Sequence, residues 1–150
     1  LADQFRNRTV RKEYWAVVKG RVELDADLVS GPIGPDRRSP TKMAVRMDVG
    51  RASETYYEVI ERFPAHTLVR CMPKTGRTHQ IRVHMMSVGY PLVSDRVYGG
   101  YVPALAAVCP RQALHARRLR FRHPQTGDEM EFEAPLPADM TALIEHLRQG

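Results

Sequence analysis

Apolar and polar residues alternate with a period of two along much of this chain, and with a helical period near its middle and its end. Residues 13–24, EYWAVVKGRVEL, are rich in aromatic and β-branched side chains and predict a strand, with Gly20 as a bend or bulge. Residues 54–63, ETYYEVIERF, and 66–73, HTLVRCMP, predict two strands joined by a Pro-Ala link into a hairpin. Residues 114–123, LHARRLRFRH, place leucine and phenylalanine in alternation with arginine, which predicts a strand with one wet, basic face. PQTGDEM then turns it into EFEAP, a second hairpin.

Two segments repeat near 3.6 residues instead. Over residues 78–88, at about 100° per residue, Ile81, Met85 and Val88 fall on one stripe. Thr78 is placed to cap this helix and Gly89 to end it in a left-handed conformation. Residues 137–149, PADMTALIEHLRQ, predict a closing amphipathic helix with Met140, Leu143, Ile144 and Leu147 on its buried side. Residues 1–8 read as the tail of another helix. Residues 30–42, SGPIGPDRRSPTK, predict a surface loop, 43–49 a weakly alternating strand, 91–100 a turn, and 101–111 a variable connection. Hairpins with few helices predict an α+β domain: a mostly antiparallel, mixed sheet flanked by a few helices, over residues 1–150 as one unit.

Composition narrows the function. No apolar run approaches the roughly 20 residues of a membrane span, and no apolar segment follows the first charges as in a signal peptide. Cys71 and Cys109 are too few and too far apart for a disulfide framework or a CxxC metal site, and predict buried thiols in a reducing compartment, the cytoplasm. Neither GxGxxG nor GxxxxGK[ST] occurs, so no nucleotide cofactor is expected. The formal net charge of +6, carried mostly by arginine, favours a polyanionic partner.

The densest chemistry lies in TGRTHQIRVHMMSVG, residues 75–89. On the predicted helix Arg82 lies one step from Ile81, with His79 and Met86 flanking it on a second stripe. Arg77 and Thr78 sit at the helix mouth, where free N–H groups attract anions. His79 and His84, five apart, point about 140° away from one another, whereas a helical zinc pair needs i, i+4; no metal is expected. The plain alternatives are a surface arginine with a buried stem at Arg82 and a packed strand tyrosine at Tyr14, beside Trp15.

TGRTHQIRVHM resembles the third sequence motif of the RluA-type pseudouridine synthases. KEYWAVVKG resembles that family's tyrosine-bearing strand, RSPTKMAV and YYEVIERF its next segments, and GYPLVSDRVYGG its GHPLxGDxxYG turn. RQALHARRLRFRHPQTGDEMEFEAPLPADM is similar to its C-terminal strand pair and helix, and the likeness is nearest to the large-subunit ribosomal RNA branch. The resemblance implies isomerisation of uridine to pseudouridine in RNA, most naturally 23S-type ribosomal RNA, with no cofactor. It implies that Tyr14 contacts the target uracil and that Arg82 pairs with the catalytic aspartate. It also implies that Arg77, Thr78, His79 and Gln80 face the RNA. Arg37, Arg38, Lys42, Arg118 and Arg120 are candidates for more distant phosphate contacts, the plainer reading of each being a solvated surface charge. The family's aspartate lies in an HRLD motif, which these 150 residues do not contain. The chain alone is therefore expected to be inactive, with Arg82 lacking its carboxylate and the site loosened around it; Asp95 is expected only to fold its own turn. The competing readings are a non-catalytic RNA-binding module on the same fold and an unrelated basic α+β protein whose arginines serve a protein interface.

Overall fold

The computed structural model describes residues 10–150. The expected helix tail at residues 1–8 lies outside them. Eight strands are present among the described residues: β1 (Arg11–Lys19), β2 (Ala26–Ser30), β3 (Ile33–Pro35), β4 (Met43–Val45), β5 (Glu54–Arg62), β6 (His66–Pro73), β7 (Leu114–Arg122) and β8 (Glu129–Glu133). Three helices accompany them: α1 (Gln80–Ser87), the short α2 (Pro103–Ala106) and α3 (Ala138–Arg148). Six strands form one sheet in the order β2-β5-β6-β1-β7-β8, and every neighbouring pair is antiparallel. β3 and β4 make a separate small hairpin.

β1 is central and is covered on both sides. Its residues Ala16, Val17 and Val18 are all fully buried, which a half-exposed strand would not allow. Val17 joins one core, with Leu68, Cys109, Met140, Leu143 and Ile144, under α3. Ala16 and Val18 join another, with Val69, Cys71, Ile81, Met85 and Leu92, under α1. The period-two alternation of β1 thus assigns Tyr14, which packs with the second group, to the α1 side of the sheet.

Both predicted hairpins and the closing helix are present, and the four expected residues of α3 are its buried ones. Gly20 ends β1 with φ 92°. Gly89 closes α1 with φ 92°, its N–H donating to Met86 O and the next N–H, from Tyr90, to Met85 O, the paired bonds of a Schellman cap.

Several expectations need correction. Residues 30–42 are not wholly surface loop: they contain β3, and Ile33 is buried against Val83 and Tyr98. Proline and glycine there shape a tight hairpin that packs on α1 rather than a solvated loop. β2 was hidden because only one of its residues, Val29, is buried, so no alternation marks it. Residues 101–111 carry α2, which buries Leu105 and Cys109. The turn at 91–100 is largely interior: Leu92, Val93, Ser94, Asp95 and Tyr98 are buried. At Gly100 an added Cβ would run into the Leu92 carbonyl. Gly100→Ala is therefore expected to destabilise the fold by about 1–3 kcal/mol, the range for overpacking, as read by denaturant unfolding; an unchanged midpoint would contradict this packing.

Candidate functional site

α1 does not begin as its sequence suggests. Thr78 is exposed and caps nothing; the residue at the cap position is His79, held left-handed at φ 55°, ψ 25°. Such a backbone costs about 1–3 kcal/mol for a residue with a Cβ and persists only where neighbours hold it. Here the holding groups are visible. His79 Nδ1 hydrogen-bonds Tyr98 Oη at 2.8 Å, and the Tyr98 oxygen also accepts the Met43 N–H at 3.0 Å.

Gln80 sets the turn before the helix. Its Oε1 accepts from Thr75 Oγ1 (2.6 Å) and from the Arg77 N–H (3.1 Å). Its Nε2 donates to Glu54 O (2.8 Å) and Thr55 Oγ1 (2.9 Å). Both amide donors and both lone-pair directions are used, so the hydrogen-bonding capacity of this buried side chain is filled within the protein. Thr55 Oγ1 in turn donates to His84 Nδ1 (2.7 Å), and His84 Nε2 donates to Gly31 O (2.9 Å). A carbonyl only accepts, so His84 is the neutral tautomer protonated on Nε2. It is fully buried, and Val88, expected in the core, is 40% exposed. The apolar stripe is therefore rotated toward Val83 and His84, because α1 packs against the β3–β4 hairpin as well as the main sheet.

Arg82 is not left without a carboxylate. Its Nε donates to Asp95 Oδ2 at 2.8 Å and its Nη2 to Asp95 Oδ1 at 3.0 Å, a bidentate pair. Asp95 has no exposed surface, and its Oδ1 also accepts the Val97 and Tyr98 N–H groups at 3.0 and 3.1 Å. Asp95 thus does fold its own turn, as expected, and at the same time holds Arg82. Burial by itself would raise the Asp95 pKa, but the Arg82 guanidinium and the two turn N–H groups outweigh it and keep the carboxyl below its usual range. The same bonds raise the Arg82 pKa. The Tyr98 ring lies 5.0 Å from Arg82 Cζ, a cation–π contact on the guanidinium.

These elements enclose a cleft of about 370 Å³ between the start of β1 and the start of α1. Tyr14, Arg77, His79, Gln80 and Arg82 line it, joined by Lys12, Thr75, Gln112 and Leu114. Thr78, named with them from the sequence, does not. Arg77 reaches across the loop to the Ala52 carbonyl, with Nε at 3.2 Å and Nη2 at 2.9 Å. Sequence reasoning missed Lys12, although its place two residues before Tyr14 puts it on the same strand face. It also missed the pairing role of Asp95, which no local pattern signals. The distant cations it singled out are mostly neutralised: Arg118 pairs with Glu133, Arg120 with Glu131 and Arg37 with Asp48, while Lys42 lies by Tyr98. No cluster of three metal-ligating side chains occurs among the described residues.

The chain belongs to the RNA pseudouridylate synthase family, whose model matches residues 1–87. It is 48% identical over its whole length to an uncharacterized RNA pseudouridine synthase of Bacillus subtilis, covering 48% of that protein. It is 47% identical over 99% of its length to ribosomal large subunit pseudouridine synthase D of Nitrosomonas europaea, covering 44% of that protein. The chain thus spans about half the length of the curated relatives it matches. Among solved structures, human RNA pseudouridylate synthase domain containing 1 superposes with a TM-score of 0.76 at 28% identity, over 99% of this chain and 70% of that one. These relatives agree with the resemblance read from the motifs.

Two outcomes follow from the site's polar groups. Asp95→Ala is expected to cost about 3 kcal/mol in denaturant unfolding, since it strands a largely buried guanidinium and two turn N–H groups. Asp95→Asn, which keeps an acceptor for the turn, should cost less; equal stability of Asp95→Ala and the parent would refute the pairing role. For His84, burial lowers the pKa from 6.5 despite the opposing bond to Gly31. A base whose folded pKa is depressed contributes stability that is complete above its ordinary value and is lost as pH falls through the folded one. The thermal midpoint should therefore decline from about pH 6.5 downward, and NMR should find the His84 ring still neutral where an exposed histidine has half titrated.

Proposed function

We propose that this chain supplies the base-holding and guanidinium-bearing part of a pseudouridine synthase acting on large-subunit ribosomal RNA. The observation that carries the reading is that Tyr14 and Arg82, far apart in sequence, line one cleft of nucleotide size. An extruded uracil would stack on the Tyr14 ring, an aromatic face with a polar tip. Unstacking a base costs a few kcal/mol, which a preformed pocket offsets. Asp95 occupies the Nε and Nη2 edge of Arg82, so both Nη1 hydrogens and the second Nη2 hydrogen are left for a substrate or a second carboxylate. Arg77, His79 and Lys12 surround the same opening, and their basicity suits the flanking phosphates, which position RNA without reading its sequence.

The reaction breaks the N1–C1′ bond of uridine and joins C1′ to C5; the C5 proton leaves and N1 gains one. Substrate and product are isomers, so the balance requires no cofactor. The 150 residues contain no HRLD sequence, and the chain by itself is proposed to bind RNA without converting it. The second reading is a non-catalytic RNA-binding module on the same fold. Both readings fit a cytoplasmic protein, and no described helix is long and apolar enough to cross a membrane.

The test has two parts. The chain alone is expected to bind a large-subunit ribosomal RNA fragment with affinity that falls steeply with salt, and to form no pseudouridine. In the protein carrying an HRLD segment, Arg82→Ala should abolish pseudouridine formation while most RNA affinity remains. Undiminished turnover in that variant would defeat the role given to Arg82, and binding indifferent to salt would defeat the RNA reading.

A further inference from the structure

Beside the cleft, the central strands separate. The β1–β6 ladder ends at the Tyr14–Cys71 pair. Beyond it β1 continues against β7 as far as Arg11, and β6 continues against β5 as far as Pro73. Two features coincide with the separation. The β1–β7 register shifts between Glu13 and Tyr14, where Arg117 is the extra residue on β7 and the local twist increases. Pro73 has no N–H to offer β1. Between the splayed ends lies a groove of about 160 Å³ lined by Val10, Arg11, Lys12, Met72, Pro73 and Lys74. Lys12 and Pro73 line both this groove and the cleft, so the two are continuous.

The charge of this groove differs from that of the rest of the basic surface. Three of its lining residues are cationic and none is acidic. Across the sheet, the arginines of β7 face the glutamates of β8 in register, Arg118 by Glu133 and Arg120 by Glu131. Those charges are largely spent within the protein. Arg11 and Lys74 are exposed and have no ion-pair or hydrogen-bond partner for their side chains among the described residues. Opposed cations at the ends of neighbouring strands repel one another, and an anion between them relieves that repulsion.

We propose that this splayed end of β1 and β6 is a second RNA contact, which grips the backbone phosphates of the strand leaving the cleft. The inference rests on the RNA reading above and adds a location and a direction to it. Arg11 offers a planar fork that takes two phosphate oxygens, and Lys74 offers a mobile point charge. Lys12, at the junction, marks where the bound strand passes from cleft to groove. The contact is to phosphate, so it strengthens binding to every sequence alike and supplies register rather than selectivity.

The experiment uses this chain, a fluorescein-labelled hairpin RNA from the large ribosomal subunit, and anisotropy titrations at several potassium chloride concentrations. Three proteins are compared: the parent, Arg11→Gln/Lys74→Gln, and Lys19→Gln, which removes a charge at the opposite end of β1. Unfolding midpoints establish that all three are folded. The double variant is expected to bind roughly tenfold more weakly at moderate salt, with a log–log salt dependence shallower by about one for each charge removed. Lys19→Gln should keep the parent's slope. A double variant with the parent's affinity and slope overturns the groove while leaving the RNA reading intact. So does an equal loss in Lys19→Gln, which would reduce the effect to net charge. A parent that shows no salt-sensitive binding overturns both.

Discussion

A guanidinium in a cleft must be held from behind, and in this protein the holding group is a carboxylate with no exposed surface. Asp95 takes the side edge of Arg82 in two short bonds and uses the same oxygen to gather the N–H groups of its own turn. A buried charge is tolerated only when paired and hydrogen-bonded, so neither partner can be removed cheaply. The arrangement holds Arg82 by one edge while the residue lines the cleft. It also explains why the 91–100 turn is interior: the turn supplies Asp95 and Tyr98, and both must reach α1.

A second buried polar chain fixes α1 from its other side. Gln80, Thr55, His84 and the Gly31 carbonyl follow one another in hydrogen bonds that link α1 to β5 and to the turn before β3. Every donor in the chain has an acceptor, which is the condition under which polar groups in a core specify geometry instead of weakening it. With one face tied by this chain and another by the Arg82–Asp95 pair, α1 has little freedom to rotate. The strained His79 at its start is held between them, bonded to the same Tyr98 that covers Arg82. The cleft-lining side chains of α1 are therefore preorganised by buried groups behind them, Asp95, Thr55 and His84.

The sheet contributes the opposite wall. β1 lies between β6 and β7, buried on both faces in its second half, yet its first half emerges from the ladder and carries Tyr14 and Lys12 on the α1 side. The β1–β7 register shifts at the same level, around Arg117 of β7, and the β1–β6 ladder ends there, so the cleft wall and the neighbouring basic groove both begin where the regular sheet stops.

How much of this the sequence announced depends on the range of each interaction. Period-two and period-3.6 patterns located β1, the β5–β6 and β7–β8 hairpins and the buried side of α3, because a strand or helix with a clear face writes that face into neighbouring residues. The charged and polar run of residues 75–89 was visible as residue types in a recognisable order, and Tyr14 was singled out by the family resemblance; Tyr14 and part of that run line the cleft. What stayed hidden involves partners far apart in the chain. β2 carries no alternation, since only Val29 is covered. The buried face of α1 turned toward His84 because a hairpin read as loop packs on it. Gln80 was expected at the RNA, and its four hydrogen-bond partners come from two separate segments, residues 54–55 and 75–77. The sequence by itself determined the elements and the inventory of charged and aromatic groups. Only the tertiary structure decided which arginines are neutralised by glutamates across a strand, and that Asp95 rather than an unseen group holds Arg82. Local periodicity records burial, whereas charge pairing depends on which segments the fold brings side by side.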